Sequence, residues 1–296
     1  MPNINSQPHF PFMKILNFNS GHLSRRMGIW DGDLTQAQVM DVTDLVGADF
    51  MSVWNWLQQR TSAEAQAQLS GAARFPLADV TFNSPVARPG KVLAAPINYK
   101  LHIEEMSKNG QSFGHIITDI RKAGIFLKAS SSVVGASQGV AQRFLDRRTD
   151  HEIELCVVMG RAANSVSKEE ALSYVAGYCL GLDMTIRGPE DRSFRKSIDS
   201  YTVLGPWVVT ADEGLNPDQI DIQIDVNGQT RQNSNTSDMV MDVAELIEFA
   251  SSFYTLEPGD VLMTGTPQGV GPVRPGDLMV AKGSGLGEMT VHVRAA

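Results

Sequence analysis

The sequence predicts an α+β fold with a small N-terminal domain and a larger β-rich domain. Residues 48–60 and 62–69 are rich in good helix formers. From residue 91 onward, short β-rich runs alternate with Gly, Pro and Asn, as in a sheet with antiparallel or mixed pairing. A Pro/Gly group at 84–90 separates the two zones. We therefore expect a domain of residues 13–87 and a domain of residues 88–296, with residues 1–12 as an N-terminal extension.

Individual elements follow from local patterns. In the N-terminal zone we expect strands at 14–18 and 27–30 and a further helix at 35–45. In the β-rich zone, Ser167 to Glu170 has the spacing of a capping box and predicts a helix that begins there. Apolar positions 243, 246, 247 and 250 predict a second helix over 239–252, capped by Ser237 or Asp238. Its apolar face fits core packing better than a dimer contact.

Composition and charge exclude several classes of protein. The 296 residues are 42% hydrophobic, and 33 Asp and Glu exceed 25 Lys and Arg to give a net charge of −8. A nucleic-acid-binding protein normally presents a basic face, so no nucleic-acid partner is expected. No run approaches the roughly 20 apolar residues of a membrane helix, and the N-terminus lacks the features of a signal peptide. Cys156 and Cys179 lie in apolar runs, which predicts buried thiols and a cytoplasmic location.

Three acidic residues carry the strongest chemical signal. Glu152 and Glu154 lie two apart in a strand-like segment, so their side chains point to the same side. Asp183 interrupts a second apolar run. Burying adjacent carboxylates is costly unless a cation compensates, and a hard divalent cation with oxygen ligands meets that need. Without further context, the exposed side of an edge strand would also explain Glu152 and Glu154.

A histidine and a glutamate form a second chemical element. His102 and Glu105 are neighbours if residues 99–106 form a helical turn. A carboxylate that accepts an imidazole N–H fixes the tautomer and raises basicity, as a general base that activates water requires. An incidental ion pair on a surface helix is the alternative.

Together these segments resemble the fumarylacetoacetate hydrolase family from about residue 91 to the C-terminus. The similar motifs, in order, are Asn98-Tyr99-x-x-His102-x-x-Glu105, Phe126-Leu-Lys128-x-Ser-Ser, His151-Glu152-x-Glu154, Asp183-Met-Thr-x-Arg187, Lys196-Ser-x-Asp and the loop Gly265-Thr-Pro. Six motifs in the family's order favour the functional interpretation of both elements over the alternatives.

The resemblance implies a mixed β-sandwich or β-roll, usually a homodimer, with the catalytic domain at 88–296. It implies Glu152, Glu154 and Asp183 as ligands of Mg²⁺ or Mn²⁺, or of Ca²⁺ in a crystal. His102 and Glu105 would activate water, and Lys196 would stabilise oxyanion charge. The substrate, a small 2-oxo acid, would contact four further residues: Tyr99, Arg187, Glu190 and Thr266.

The expected reaction is hydrolysis of a C–C bond in an acylpyruvate or a related 1,3-dicarbonyl acid. Water activated by His102 and Glu105 would attack the distal carbonyl and release a pyruvate enolate held by the metal. Oxaloacetate decarboxylation, keto–enol or double-bond isomerisation, and a non-catalytic metal- or ligand-binding role are alternatives for the same site. Glu190 stands where relatives often have a substrate-contacting Gln, so the acyl group is left open.

Overall fold

The computed structural model describes residues 13–30, 37–108 and 119–296. Its strands are β1 (Lys14–Ser20), β2 (Leu23–Trp30), β3 (Gln38–Asp41), β4 (Arg74–Pro76), β5 (Thr81–Asn83), β6 (Val92–Ala94), β7 (Phe126–Lys128), β8 (Val133–Gly135), β9 (Val140–Gln142), β10 (Thr149–His151), β11 (Ile153–Met159), β12 (Val175–Asp183), β13 (Thr185–Ile186), β14 (Thr202–Thr210), β15 (Asp221–Val226), β16 (Gln229–Asn235), β17 (Val261–Met263), β18 (Gly271–Val273), β19 (Leu278–Gly283) and β20 (Gly287–Ala295). The helices are α1 (Thr43–Val46), α2 (Phe50–Gln58), α3 (Ser62–Leu69), α4 (Lys100–Lys108), α5 (Ile120–Ala123), α6 (Lys168–Ala171), α7 (Arg192–Lys196) and α8 (Val243–Phe253).

The strands form three sheets. The largest has the order β4-β3-β2-β1-β14-β12-β11-β17-β6-β7, with β5 paired to β1 and β8 paired to β14. A three-stranded sheet has the order β13-β10-β18, and a five-stranded sheet has the order β16-β15-β19-β20-β9. Strand pairing is mixed, because β14 and β8, β17 and β6, and β20 and β9 run parallel whereas the other pairs are antiparallel. The predicted α+β class with mixed pairing is therefore confirmed.

The centre of the large sheet is buried on both faces. Every residue of β11, β12 and β14 is buried. Alternate side chains of β11 enter two hydrophobic clusters: Leu155 and Val157 belong to one, Cys156 and Val158 to the other. Because continuous apolar runs of this kind are typical of strands covered on both sides, the acidic residues at the ends of β11 and β12 lie inside the protein.

The N-terminal segment extends this central sheet. Strand β1 pairs with β14, with Lys14 opposite Val209 and Ile15 opposite Val208. Helix α2 covers one face of β1, and its Trp54 and Leu57 are buried with Ile15. The boundary proposed between residues 87 and 88 stays a prediction, although the main-chain hydrogen bonds of β1 join the two parts into one sheet.

Several predicted elements are confirmed and others are wrong. Strands β1 and β2 and helices α2 and α3 lie where they were expected, and Cys156 and Cys179 are free and buried. The helix predicted at 35–45 is wrong from residue 37 onward, where β3 and the short α1 replace it; residues 35 and 36, like 1–12, lie outside the described residues. Val39 and Met40 alternate into opposite hydrophobic clusters as they pair with β2, so tertiary pairing overrides local helix propensity.

The two helices predicted in the β-rich zone begin differently from expectation. Helix α6 starts after Ser167 without a hydrogen bond from its side chain, and the chain already enters β12 at Val175. Helix α8 starts at Val243, and Asp242 with Glu245 forms a capping box there, so a cap at Ser237 or Asp238 is wrong. The apolar face of α8 is buried in the core, as expected. Among the described residues, no helix has both the length and the apolar character needed to cross a membrane.

Strand β12 approaches β14 closely at Gly177. A Cβ atom at this position would lie 2.2 Å from the carbonyl oxygen of Val209 and 2.6 Å from a methyl group of Val208. We expect Gly177→Ala to lower the free energy of unfolding by about 1–3 kcal/mol, because overpacking forces the strands apart. Denaturant unfolding measures this, with Gly71→Ala as the control, since a Cβ at Gly71 meets nothing within 4 Å. Equal stability of the two variants would contradict the prediction.

Candidate functional site

Three carboxylates converge at the ends of β11 and β12. Glu154 lies on β11, Glu152 immediately precedes that strand, and Asp183 ends β12. The antiparallel register places Asp183 beside Glu152, and the Asp183 N–H donates to the Glu152 carbonyl at 2.9 Å. All three side chains are buried, and one oxygen atom from each lies within 4.8 Å of the other two. The structure thus brings together the three predicted metal ligands.

The charges of these carboxylates are compensated unequally. Burial raises the pKa of Glu154 well above its usual value, and the neighbouring Asp183 and Glu152 raise it further. Burial opposes ionisation of Glu152 as well, but Lys196 and Arg187 outweigh it and lower the pKa of Glu152. Among the described residues, the only hydrogen-bond donor to Glu154 is the N–H of Gly265, at 2.8 Å. Within the described part of the chain, no cationic side chain therefore contacts the Glu154 carboxylate.

Two lysines contact the cluster through different oxygens of Asp183. The Lys196 ammonium donates to Glu152 at 2.7 Å, to Asp183 at 2.5 Å and to the Thr185 hydroxyl at 2.7 Å. Lys128, on β7, donates to the other oxygen of Asp183 and to the Tyr201 carbonyl. Burial lowers the pKa of Lys128, and the ion pair with Asp183 offsets only part of that effect. Lys128 was not among the predicted site residues, although it stands in one of the motifs.

The ligand set fits a hard divalent cation. It consists of oxygen atoms only, all carboxylates, buried and mutually repulsive, which are the donors that Mg²⁺ and Mn²⁺ prefer. The carboxylates use one oxygen each for the shared centre, so an octahedral ion would keep positions for water or substrate oxygens.

Arg187 forms hydrogen bonds with one carboxylate of the cluster and with the neighbouring Asp150. Its guanidinium donates to Asp150 at 2.7 Å and to Glu152 at 3.0 Å. Its carboxylate partners outweigh burial and raise its pKa, so the guanidinium stays charged. Contact of Arg187 with substrate stays a prediction, and its contact with Glu152 also gives it a role in orienting a metal ligand.

Helix α4 carries the predicted His102–Glu105 pair. Nδ1 of His102 lies 3.2 Å from a Glu105 oxygen, and the Gly269 N–H donates to both Glu105 oxygens at 3.2 and 3.3 Å. The hydrogen bond from His102 is the main cause that lowers the pKa of Glu105. An ionised Glu105 accepts a hydrogen bond from the Nδ1–H of His102, which leaves the Nε2 lone pair of His102 free to act as a base. His102 is close enough to Glu152 to affect its pKa, so the pair belongs to the same site.

Asn98 fixes the start of α4, a role that the sequence interpretation missed. Its side-chain amide donates to the carbonyls of Met241 and Thr264, and its side-chain oxygen accepts from the Met241 N–H, each at 2.9 Å. Gly265 packs against it: a Cβ there would lie 2.9 Å from the Asn98 Cβ, and its φ of +97° favours glycine. Asn98 opens the motif that contains His102, four residues before it, and this position was the available signal.

Gln232 is a second residue that the sequence interpretation missed. Its amide donates at 2.8 Å to both the Thr266 hydroxyl and the Pro267 carbonyl, while its oxygen accepts from the Ile153 N–H at 3.1 Å. Because those bonds fix the amide orientation, Nδ1 of His151, 3.0 Å from the same oxygen, is the protonated nitrogen. Gln232 thereby ties the Gly265-Thr266-Pro267 loop to the metal strand. No motif marks it, because β16 is distant in sequence from both partners.

The remaining predicted substrate residues lie in different surroundings. Thr266 is buried and donates to the Ile153 carbonyl at 2.8 Å. The Tyr99 hydroxyl is buried near Glu154 and has no hydrogen-bond partner among the described residues, and burial raises its pKa. Glu190 accepts from Arg147 through both carboxylate oxygens, at 2.9 and 2.8 Å. Substrate contacts of these residues stay predictions, and the Glu190 carboxylate already has a partner.

The fold and the site define a metal-dependent enzyme whose cation is held by buried carboxylates. The C-terminal pattern of fumarylacetoacetate hydrolases matches residues 91–294. The chain belongs to the fumarylacetoacetate hydrolase family, as the sequence motifs predicted.

Individual relatives cover nearly the whole chain. A maleylpyruvate hydrolase of Aquipseudomonas alcaligenes is 48% identical over 294 residues, 96% of this chain and 100% of its own length. A mitochondrial oxaloacetate tautomerase of Rattus norvegicus is 32% identical over 92% of this chain and 86% of its own. A crystal structure of maleylpyruvate hydrolase from Sphingobium sp. SYK-6, in complex with manganese(II) and pyruvate, superposes with a TM-score of 0.81 at 34% identity, over 96% of this chain and all of that one.

Removing one carboxylate charge tests the metal centre. In metal-stripped protein, we expect Glu154→Gln to raise the midpoint of thermal unfolding, because it relieves repulsion among buried carboxylates. With excess Mn²⁺ we expect wild type to have the higher midpoint of thermal unfolding, since Mn²⁺ stabilises only the protein that binds it. Calorimetric titration with Mn²⁺ and thermal unfolding measure the two effects. The exposed Glu169→Gln is the control, and tight Mn²⁺ binding by Glu154→Gln would contradict the assignment.

Removing the Gln232 amide tests the loop anchor. We expect Gln232→Leu to lower the free energy of unfolding by about 2–4 kcal/mol, because several buried polar groups lose their partners at about 1–3 kcal/mol each. Denaturant unfolding measures the loss. Gln229→Leu, an exposed glutamine on the same strand, is the control and should leave stability within about 0.5 kcal/mol of wild type. A stable Gln232→Leu protein would refute the anchor.

Proposed function

We propose that this protein hydrolyses the C–C bond of maleylpyruvate or a closely related acylpyruvate and releases pyruvate. The predicted class, a metal-dependent C–C bond hydrolase, is confirmed by the 48% identity to maleylpyruvate hydrolase together with the buried carboxylate cluster. The observation that carries the choice of hydrolysis is the His102–Glu105 pair beside that cluster. Hydrolysis needs a base that activates water, whereas binding alone does not.

The proposed cofactor is Mn²⁺ or Mg²⁺ held by Glu152, Glu154 and Asp183. The predicted cofactor class is confirmed by the manganese(II) of the related structure and by the matching acidic cluster here. When bound, the cation supplies Lewis acidity and a template for the 2-oxo acid end of the substrate.

The protein's own groups supply the proton transfers and part of the charge stabilisation. His102 accepts a proton from water at Nε2, and the water oxygen attacks the carbonyl distal to the oxo acid. The bond between that carbonyl carbon and the adjacent methylene breaks, and its electron pair passes to the pyruvate fragment as an enolate. Lys196, buried among the carboxylates, is the cation placed to stabilise this charge. Return of the proton to the methylene carbon gives pyruvate and a second acid.

A tautomerase is the second candidate, and the oxaloacetate tautomerase relative is the observation that favours it. Tautomerisation would use His102 to move a proton without bond cleavage. Decarboxylation of oxaloacetate would use the same cation but no attacking water. A binding protein without turnover would need none of His102, Glu105 and Lys196.

We also propose a homodimer located in the cytoplasm, as the family resemblance implied. Phe253 is 70% exposed and Leu145 is 60% exposed, and both apolar side chains would be available to such an interface. Sedimentation equilibrium tests the assembly: a mass of 32.2 kDa at micromolar concentration would refute the dimer.

Replacing the base separates the candidate reactions. With Mn²⁺ and maleylpyruvate, we expect wild type to release pyruvate and His102→Ala to be slower by about 10²–10⁴-fold, the usual contribution of a general base. Coupled assay of pyruvate measures this, with the exposed His22→Ala as the control. Wild type that releases no pyruvate from a panel of acylpyruvates, yet tautomerises oxaloacetate, would replace hydrolysis by the second candidate.

A further inference from the structure

The cationic side chains around the site are almost all engaged by protein acceptors. Arg187 binds Asp150 and Glu152, Arg147 binds Glu190, and Lys196 binds Glu152 and Asp183. The charge of each of these groups is thus already paired with at least one protein carboxylate.

Neighbouring arginines are engaged as well. Arg148 donates to Asp150 at 2.7 Å. Arg195 donates to the main-chain carbonyls of Glu190 and Ile186 at 2.9 and 3.3 Å. Arg192 differs: within the described part of the chain, its guanidinium has no hydrogen-bond or ion-pair partner among protein atoms.

Arg192 faces the same side as the lysine of the site. It lies four residues before Lys196 on α7, so the two side chains share one face of the helix. Both cations lie over the ring of Phe126, with the Arg192 guanidinium carbon 5.7 Å and the Lys196 ammonium 5.6 Å from its centre. Arg192 therefore lies one helical turn from Lys196, whose ammonium contacts Glu152 and Asp183.

Among the described residues, no carboxylate is in contact with the Arg192 guanidinium. The residue is half-buried, and burial is the largest influence on its pKa, which it lowers. The carboxylates of Asp191, Glu152 and Asp183 act on it only through space, in the opposite sense. A half-buried guanidinium without acceptors is unfavourable, because its five N–H donors lose water. A planar carboxylate that accepts two of those hydrogen bonds would replace the lost water and pair the positive charge.

The substrate class proposed above offers such a carboxylate. Maleylpyruvate carries one carboxylate beside the oxo group and a second at the far end of its acyl chain. With the oxo acid at the carboxylate-held cation, the far end lies beyond the scissile carbonyl. Arg192 is the unengaged cation, among the described residues, next to the groups that act at that carbonyl.

We propose that Arg192 is a specificity residue that binds the far carboxylate of a dicarboxylic acylpyruvate. This inference rests on the proposed function, because it assigns one end of the substrate to a residue of the same site. It explains why α7 holds Arg192 and Lys196 on one face: one contacts the reacting end, and the other selects an acyl chain that ends in a negative charge.

Paired substrates test the assignment. Manganese-loaded wild type, Arg192→Gln and Arg192→Lys are assayed with maleylpyruvate and with acetylpyruvate, whose acyl end is an uncharged methyl group. We expect Arg192→Gln to lower kcat/KM for maleylpyruvate about 10²-fold, mainly through KM, because a charge-assisted bidentate contact is lost. Acetylpyruvate should be affected less than about 3-fold, and Arg192→Lys should recover part of the loss. The exposed Arg274→Gln is the matched control.

Binding of product fragments keeps the test independent of turnover. Calorimetric titration should show that Arg192→Gln weakens maleate binding and leaves pyruvate binding unchanged. Equal losses for both substrates, or unchanged maleate binding and unchanged kcat/KM for maleylpyruvate, would overturn the role of Arg192. Wild type that turns over neither substrate would instead refute the proposed function, while a selective loss of maleate binding would still support Arg192 as the carboxylate-binding residue.

Discussion

Repulsion among three buried carboxylates is the constraint on which the rest of the site depends. Glu152, Glu154 and Asp183 lie within 4.8 Å of one another through single oxygen atoms, in a region that excludes water. Ions of like charge at this separation in a low-dielectric interior destabilise the fold unless cations balance them. The surrounding elements supply part of that balance, and the Lys196 ammonium contacts both Glu152 and Asp183.

The protein cations balance part of the negative charge. Lys128 and Lys196 contact the two oxygens of Asp183, and Arg187 with Lys196 contacts the two oxygens of Glu152. Glu154 has no such partner among the described residues, which is why burial raises its pKa instead. The positive charge still needed is the one that a divalent metal carries. The same contacts orient the ligands, since the protein donates hydrogen bonds to both oxygens of Glu152 and of Asp183 and to one oxygen of Glu154.

Two anchors on one loop hold the helix that carries the base. Asn98 binds the Thr264 carbonyl at the start of the loop, and Gly269 donates its N–H to Glu105. The loop therefore contacts α4 at Glu105 and the segment just before α4 at Asn98, while Gln232 attaches the loop to the strand of the metal ligands. Base and metal centre are coupled through this loop by hydrogen bonds of the Asn98, Glu105 and Gln232 side chains, and the bonds of Asn98 and Glu105 to the loop join residues 166 and 164 positions apart.

The sequence by itself determined the fold class, the ligand triad and the His102–Glu105 pair, because these depend on local periodicity and on short motifs. It did not determine β3, where pairing with β2 overrides local helix preference. Nor did it identify Gln232, or show that Arg147 engages both oxygens of Glu190. Those facts depend on contacts between segments far apart in the chain, and no local pattern encodes such contacts. Only the tertiary structure decided which side chains are already engaged and which, like Arg192, are left for a ligand.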